Sequence, residues 1–246
     1  SATPGQFELA KSKPHIVEQL IRPTGLLEPE IEIKPTADQI QDVISEIEKR
    51  KAKNQRVLVL TLTKRLSEDI ADYLEQRNIA VQWLHSEVKT LERPKILEDF
   101  RKGKYDVIVG VNLLREGLDL PEVALVAILD ADKEGFLRNE TTLIQTMGRA
   151  ARHPEGKAIL YADTITFSMK NAIAEIERRK KIQQEYNEKN HITPQAVVKD
   201  IRTWGFADAK EIATAEFGPI QDVKLLEKEM REAASNLDFE RAAEIR

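Results

Sequence analysis

The sequence predicts an α/β protein built on a doubly wound parallel sheet. Short runs of Val, Ile and Leu alternate with longer segments of helical period. The apolar runs are typical of strands buried on both faces, and they lie at 57–62, 81–84, 106–109, 125–129 and 158–161. The helical segments lie at 38–53, 64–77, 90–101 and 141–152. Because strands that alternate with helices at this interval form parallel sheets with right-handed crossovers, we place this domain at residues 35–165.

Three further regions flank the predicted sheet. Proline and glycine recur through residues 1–34, which predicts an extended connecting segment with a short strand at 30–33. Residues 166–218 are predicted as a helical extension and linker, with a long helix at 168–189 and a short helix capped by Thr193. Residues 219–246 carry an apolar stripe typical of a paired helix, and we expect a helical hairpin that is truncated at Arg246.

Composition restricts the class of protein. The 246 residues suffice for an α/β core plus an appendage, and the net charge of −4 is unlike that of a globally basic nucleic-acid binder. There is no cysteine, and four histidines are widely scattered, so we predict no metal site. No apolar run approaches membrane-spanning length, and we expect a cytoplasmic protein without a membrane partner. The chain lacks an initiator Met and stops inside a helical pattern, which indicates a piece of a longer protein.

One helix predicts a phosphate site. Gln145, Arg149 and Arg152 follow one another at spacings of four and three, which places them on one helix face. An amide and two guanidinium groups suit a phosphate, because arginine offers planar, permanently charged donors. The alternative is a solvated surface helix with two unremarkable arginines.

A loop upstream of this helix carries further polar residues. Glu116, Gly117 and Asp119 follow a buried strand, where they lie in reach of a nucleotide and of nucleic acid. For Asp119 the alternative is a turn cap after Gly117. The chain contains no Gly-x-x-x-x-Gly-Lys-Ser/Thr sequence, so it has no phosphate-cradling loop of its own. We therefore predict that Arg149 and Arg152 act in trans, as arginine fingers, on a nucleotide held elsewhere.

Several stretches resemble a known family. Residues 1–3, 109–123 and 145–152 are similar to the third, fifth and sixth motifs of superfamily-two helicases. Residues 85–93 and 129–138 narrow the resemblance to the UvrB family of bacterial nucleotide excision repair. Residues 161–163 with the basic run 178–181 resemble the family's Tyr-Ala-Asp/Arg-Arg-Arg signature, except that Lys180 is the third basic residue. The end of the chain, from Leu226, is similar to the UVR helical hairpin.

The resemblance implies a second RecA-like domain, a linker and a truncated UVR hairpin. In the full-length family protein ATP, with Mg²⁺, lies between two RecA-like domains, and this chain alone would hold neither. By position, Arg149 and Arg152 would face the γ-phosphate, with Gln145 and the loop containing Glu116, Gly117 and Asp119 beside them. The implied partners are a damaged DNA duplex, UvrA, UvrC and the missing N-terminal RecA-like domain. The hairpin residues expected to meet a partner are Leu226, Met230, Leu237 and Phe239.

A second set of residues is a candidate DNA contact. His85, Ser86, Thr90 and Arg93 follow a strand and open a helix, so their backbone N–H groups are placed to hold a DNA phosphate. The alternative is a plain N-terminal helix cap. The basic run 178–181 is also open between a solvated helix face and a DNA or partner contact.

Two other functions compete with a repair ATPase. One is a pure interaction module that docks UvrA and UvrC, in which the arginines only aid solubility. The other is a superfamily-two helicase that acts on RNA, against which residues 130–138 and the UVR-like tail argue.

Overall fold

The computed structural model describes residues 2–89, 92–111 and 119–197, together with residues 199 and 201. These residues fall in the first of two units of the chain, Ser1–Arg202. Several predicted site residues lie outside the described residues, namely Thr90, Glu116, Gly117, Leu226, Met230, Leu237 and Phe239.

Strands and helices alternate in the described residues as the periodicity predicts, except that a short helix in the connecting segment, Gln6–Ser12, was not predicted. The strands are β1 Glu30–Lys34, β2 Arg56–Leu60, β3 Val81–Leu84, β4 Val107–Gly110, β5 Val123–Ile128 and β6 Lys157–Tyr161. The helices are α1 Gln6–Ser12, α2 Gln39–Lys51, α3 Lys64–Glu75, α4 Glu92–Arg101, α5 Glu140–Met147 and α6 Phe167–Asn190. A 3₁₀ helix, Gly148–Arg152, follows α5 directly.

The six strands form one parallel sheet in the order β1-β6-β5-β2-β4-β3. Leu58 of β2 pairs with Ile108 on one side and Val126 on the other, and every residue of β2 and β5 is buried. Central strands covered on both faces need apolar side chains at every position, which is why the runs are continuous rather than alternating. The predicted doubly wound sheet is confirmed.

Helices cover both faces of the sheet. Val43 and Ile47 of α2 and Leu74 of α3 pack on one face, in a core cluster with the odd-numbered residues of β2. Phe100 of α4 and Met147 of α5, together with the buried side of α6, pack on the other. None of the described helices is both long and apolar enough to cross a membrane. The sheet therefore has two separate apolar layers, as a doubly wound fold requires.

The connecting segment contacts the edge of the sheet and the chain that follows α6. β1 lies within residues 1–34, as the short strand expected there, and it pairs with β6 at one edge of the sheet. After β6, the predicted long helix is present as α6, whose N-cap Thr166 accepts from the backbone N–H of Met169 at 3.2 Å. The predicted short helix after Thr193 is absent, because residues 192–197 have no regular structure. Instead, the N–H of Gln195 donates to the carbonyl oxygen of Thr24 at 3.0 Å.

The predicted single helix at 141–152 is wrong in its second half. α5 ends at Met147, and the chain tightens into the 3₁₀ helix at Gly148. Glycine is a poor residue for the interior of an α-helix, by about 1 kcal/mol relative to alanine, and last turns commonly tighten in this way.

Candidate functional site

The 3₁₀ helix aligns the two motif arginines. Three residues per turn bring side chains at i and i+3 into line, so Arg149 and Arg152 project from the same side. Ala150 and Ala151 face the core and are buried, which fixes the rotation of this turn. A Cβ atom at Gly156 would meet the carbonyl oxygen of Ala150, so only glycine lets the following chain pass so close.

The two arginines line a cavity of about 270 Å³. Gln145 of α5, Arg22 of the connecting segment and Arg179 of α6 line it as well. Four guanidinium groups from three separate segments thus surround one small space. Guanidinium groups in this arrangement suit the terminal phosphates of a nucleotide better than any neutral ligand.

Arg22 and Arg179 are anchored within the chain. Arg179 donates through Nη2 to the carbonyl oxygen of Ala2 at 2.7 Å and through Nε to Glu175 Oε1 at 2.6 Å. Arg22 Nη2 donates to Glu28 Oε1 at 2.5 Å. Because each already holds a carboxylate, these two arginines shape the cavity wall.

Gln145 is held by the connecting segment. Its Nε2 donates to the hydroxyl of Thr3 at 3.0 Å, across 142 positions of sequence. The stretch that resembles the third helicase motif therefore contacts the stretch that resembles the sixth. This contact orients the amide of Gln145 at the rim of the cavity.

Asp119 pairs with the second motif arginine. Its Oδ1 lies 2.8 Å from Arg152 Nη1, and its Oδ2 accepts from Lys199 Nζ at 2.7 Å. Burial alone would raise the pKa of the Asp119 carboxyl, but the hydrogen bond from Lys199 and the charge of Arg152 outweigh it and hold the pKa below the usual 3.8. The carboxylate therefore stays ionised, and it holds Arg152 by charge. Gly117, after which Asp119 is alternatively predicted to cap a turn, lies outside the described residues.

The Asp119–Arg152 pair lies beside the amino ends of two strands. Asp119 precedes β5, which begins at Val123, and Arg152 precedes β6, which begins at Lys157. A doubly wound fold predicts the loops of residues 110–119 and 130–138 at the carboxyl ends of the strands. The first loop begins there, after β4, but a connection between parallel strands must return to the opposite edge, so its last residue lies at the amino end of β5.

The loop of residues 130–138 follows β5, at the carboxyl ends of the strands, and has a structural role. Its last residue, Arg138, is 2% exposed and donates through Nη2 to the carbonyl oxygens of Leu129 and Leu60, at 2.9 and 3.3 Å. Burial lowers the pKa of this guanidinium to about 10. Arg138 therefore binds the ends of β2 and β5 together.

The residues predicted to contact DNA are in different surroundings from one another. The side chain of His85 is 1% exposed, stacks on Trp83 with ring centroids 4.5 Å apart, and lies with Nε2 2.8 Å from Glu68 Oε1. Ser86 is exposed in the turn that follows β3. The described part of α4 begins at Glu92, and the N–H of Arg93 already donates to the carbonyl oxygen of Lys89 at 3.3 Å. Of the three described residues in this set, Ser86 is exposed and Arg93 is partly exposed, whereas His85 is buried.

Glu68, His85 and Glu87 are grouped closely enough to suggest a cation site. The backbone N–H of Glu87 donates to His85 Nδ1 at 3.3 Å, so Nδ1 must be unprotonated and Nε2 carries the proton. A metal ion at Nε2 would need the opposite tautomer, and Glu87 is already paired with Lys64 at 2.8 Å. The three residues do not fit a resident metal.

The sheet, its helices and the arginine-lined cavity define the class of protein as a helicase C-terminal domain. The family model "Helicase conserved C-terminal domain" matches residues 38–154. A solved structure of Saccharomyces cerevisiae Dbp5, bound to RNA and ADP BeF3, superposes with a TM-score of 0.53 and 20% identity. That superposition covers 78% of this chain and 52% of the other, and at this identity it shows the fold alone.

Two further family models match later parts of the sequence. "Ultra-violet resistance protein B" matches residues 160–202, and "UvrB/uvrC motif" matches residues 223–246. The UvrABC system protein B of Listeria monocytogenes is 58% identical over an alignment of 257 residues, and that of Caldanaerobacter subterraneus is 56% identical over 258. The chain belongs to the UvrB family. All of it is matched, and it spans 39% and 38% of those two relatives.

Three residues at the cavity and beside it were missed by the sequence analysis, namely Arg22, Arg179 and Lys199. Arg179 lies in the basic run 178–181, which the sequence analysis singled out. Its position in a helix, however, did not indicate that its side chain faces the cavity. Arg22 and Lys199 lie in segments without periodicity, where sequence offers no means of placing a side chain.

Proposed function

We propose that this chain supplies the arginine side of an ATP site in a DNA-damage-verification protein of nucleotide excision repair. The observation that carries the proposal is the cavity lined by Arg149 and Arg152 on one side of a 3₁₀ helix, with Gln145 at its rim. Family membership supports the repair role, and the helicase C-terminal fold supports an ATP-dependent one.

Arg149 and Arg152 would act on a nucleotide held by another domain. Since this chain lacks a Gly-x-x-x-x-Gly-Lys-Ser/Thr loop, ATP and Mg²⁺ would be held by the missing N-terminal RecA-like domain. The two guanidinium groups neutralise the charge that spreads over the γ-phosphoryl oxygens during transfer. Gln145, Glu116, Gly117 and Asp119 stay predicted neighbours of the nucleotide.

The remaining partners are proposed from family membership. They are a damaged DNA duplex, UvrA and UvrC, in a cytoplasmic repair system. Among the described residues of the predicted DNA contact, Ser86 and Arg93 are more accessible than His85, which would act by holding the turn that carries Ser86. Leu226, Met230, Leu237 and Phe239 stay the predicted contact with UvrC, within the matched UvrB/uvrC motif.

The decisive experiment measures DNA-stimulated ATP hydrolysis by a full-length protein that carries this sequence. Arg149→Ala and Arg152→Ala should each lower kcat by about 10³-fold or more, as loss of an arginine finger does. Arg65→Ala is the matched control, because Arg65 is 91% exposed and pairs only loosely with Asp69, at 3.9 Å. Equal rates in all variants would exclude catalysis by these arginines.

A second candidate is a pure interaction module that docks UvrA and UvrC. The match of residues 223–246 to the UvrB/uvrC motif favours it. Under this alternative the arginine variants keep full ATPase activity, and variants of Leu226 or Phe239 lose binding to UvrC. The same set of proteins therefore separates the two functions.

A further inference from the structure

Lys199 reaches the site from a segment beyond α6 that the proposed function does not use. Its Nζ donates to Asp119 Oδ2 at 2.7 Å, and its own carbonyl oxygen accepts from Arg101 Nη2 at 2.8 Å. Arg101 is in turn fixed by Glu122, with Nη2 2.8 Å from Oε1 and Nε 3.0 Å from the same oxygen. Lys199 is therefore attached at two points, one on its side chain and one on its backbone.

Asp119 is shared between two cations. Arg152 takes one carboxylate oxygen and Lys199 the other, while the Asp119 side chain is 27% exposed. An ionised carboxylate with so little contact with water is costly to leave without a partner. Arg152 is half exposed and lines the cavity while it is paired with Asp119. If its guanidinium shifts from Asp119 to a bound phosphate, Lys199 is the cation that stays on the carboxylate.

We propose that Lys199 is a positioning residue for Arg152, because it holds the Asp119 carboxylate while Arg152 turns to the γ-phosphate. This inference rests on the proposed function. Without a nucleotide, Arg152 lies at the cavity wall and is paired with Asp119. When a nucleotide phosphate draws Arg152 away, Lys199 stays paired with Asp119, so the movement of Arg152 does not leave the carboxylate unpaired.

Removal of Lys199 should slow catalysis while nucleotide binding stays intact. In Lys199→Ala the Asp119 carboxylate keeps Arg152 as its ion-pair partner among the described residues, and Arg152 is then held more tightly and engages the phosphate less often. We expect kcat for ATP to fall about tenfold, equivalent to about 1.4 kcal/mol. KM for ATP should change less than about twofold, because an arginine finger acts mainly on the transition state.

Three further proteins test the mechanism rather than the fold. Lys199→Arg keeps the cation and should restore most of kcat. Asp119→Asn removes the charge that Lys199 balances, so adding Lys199→Ala to it should lower kcat no further. Lys104→Ala is the matched control, because Lys104 forms a similar pair with Asp99, at 2.9 Å, on the exposed surface. Thermal unfolding of every variant separates catalytic from structural loss.

The outcomes distinguish this inference from the proposed function. If Arg149→Ala and Arg152→Ala both keep the full rate, the proposed function fails, and the role of Lys199 fails with it. If Arg152→Ala is inactive but Lys199→Ala matches the unchanged protein, only the role of Lys199 is overturned. An equal loss from Lys199→Ala with and without Asp119→Asn would also overturn it, since the effect would then not pass through Asp119.

Discussion

The side-chain amide of Asn187 donates a hydrogen bond of 2.7 Å to the carbonyl oxygen of Gly25, across 162 positions of sequence. The oxygen of the same amide accepts from Gln183 Nε2 at 2.8 Å, and Gln183 Oε1 accepts from the N–H of Arg22 at 2.6 Å. Both amides are buried, so neither has water as a substitute partner. A polar ladder thus holds the connecting segment, which carries Arg22, against α6.

Asn187→Ala should destabilise the protein by about 1–3 kcal/mol, because it removes the donor to the buried carbonyl oxygen of Gly25 and one of the two acceptors of Gln183 Nε2. Chemical denaturation followed by circular dichroism measures the change. Gln184→Ala, one turn away on the exposed side of α6, removes only a 3.1 Å contact with Glu188 and should change stability by less than about 0.5 kcal/mol. Equal losses in the two variants would exclude a special role for the ladder.

Two glycines near the arginines should respond oppositely to alanine. Gly156→Ala forces a Cβ atom against the backbone of Ala150 and should cost about 1–3 kcal/mol while displacing Arg149 and Arg152. Gly148→Ala meets no atom within 4 Å and keeps a helical φ of −60°, so it should be neutral or stabilise by up to about 1 kcal/mol. The melting temperatures of the two variants test this prediction. An equal loss of stability in Gly148→Ala and Gly156→Ala would contradict the packing described for Gly156.

Stability should fall with acid through the titration of His153. Burial lowers the pKa of His153 below 6.5, the positive charges of Arg50 and Lys53 lower it further, and Glu155 only partly opposes them. Since the folded state binds the proton more weakly than the unfolded state, this group costs nothing above pH 6.5 and destabilises progressively as the pH falls below it. Protonation at Nδ1 also removes the acceptor for the N–H of Glu155, 3.1 Å away.

The measurement is the melting temperature between pH 5 and pH 8. His153→Gln should flatten the profile below pH 6.5 relative to the unchanged protein. His15→Gln is the control, because His15 is exposed in the connecting segment and should leave the profile unaltered. A profile of the same slope in both variants would remove His153 as the group responsible.

Arg138→Lys should destabilise the sheet although it preserves charge. Arg138 donates to the carbonyl oxygens of both Leu60 and Leu129, and its planar group reaches Leu137 as well. A lysine ammonium is a more compact and more strongly hydrated charge that cannot reproduce this fork, and we expect a loss of about 1–3 kcal/mol. Urea unfolding tests it, with Arg65→Lys on the exposed face of α3 as the control expected to be silent.

The strands of this fold were predictable because their buried positions leave a continuous apolar run in the sequence. Leu58 and Val126 are buried on both sides by parallel neighbours, and such positions accept only apolar residues. α6 was predictable for the same kind of reason, since Met169, Ala172 and Ile176 recur at helical intervals on one buried side.

The site was less predictable, since its residues are brought together by tertiary structure. Arg149 and Arg152 were identifiable from spacing and resemblance, although the helix that carries them is not α-helical there. The partners of Asp119 were not identifiable, because Lys199 follows it by 80 positions in a segment without periodicity. His85 was interpreted as a phosphate contact, yet it is buried, stacks on Trp83 of the preceding strand and contacts Glu68, which lies on α3.

Arg179, Gln183 and Asn187 follow one another at intervals of four along α6, and they hold Ala2, Arg22 and Gly25 in turn. Residues at this spacing lie on the same face of a helix, so the connecting segment is hydrogen-bonded to one face of α6. Breaking any one of these hydrogen bonds exposes the neighbouring one to water. The connecting segment and α6 must therefore unfold as one cooperative unit. In hydrogen exchange, the amide of Arg22 would then report on the integrity of α6 more than on the short segment in which it lies.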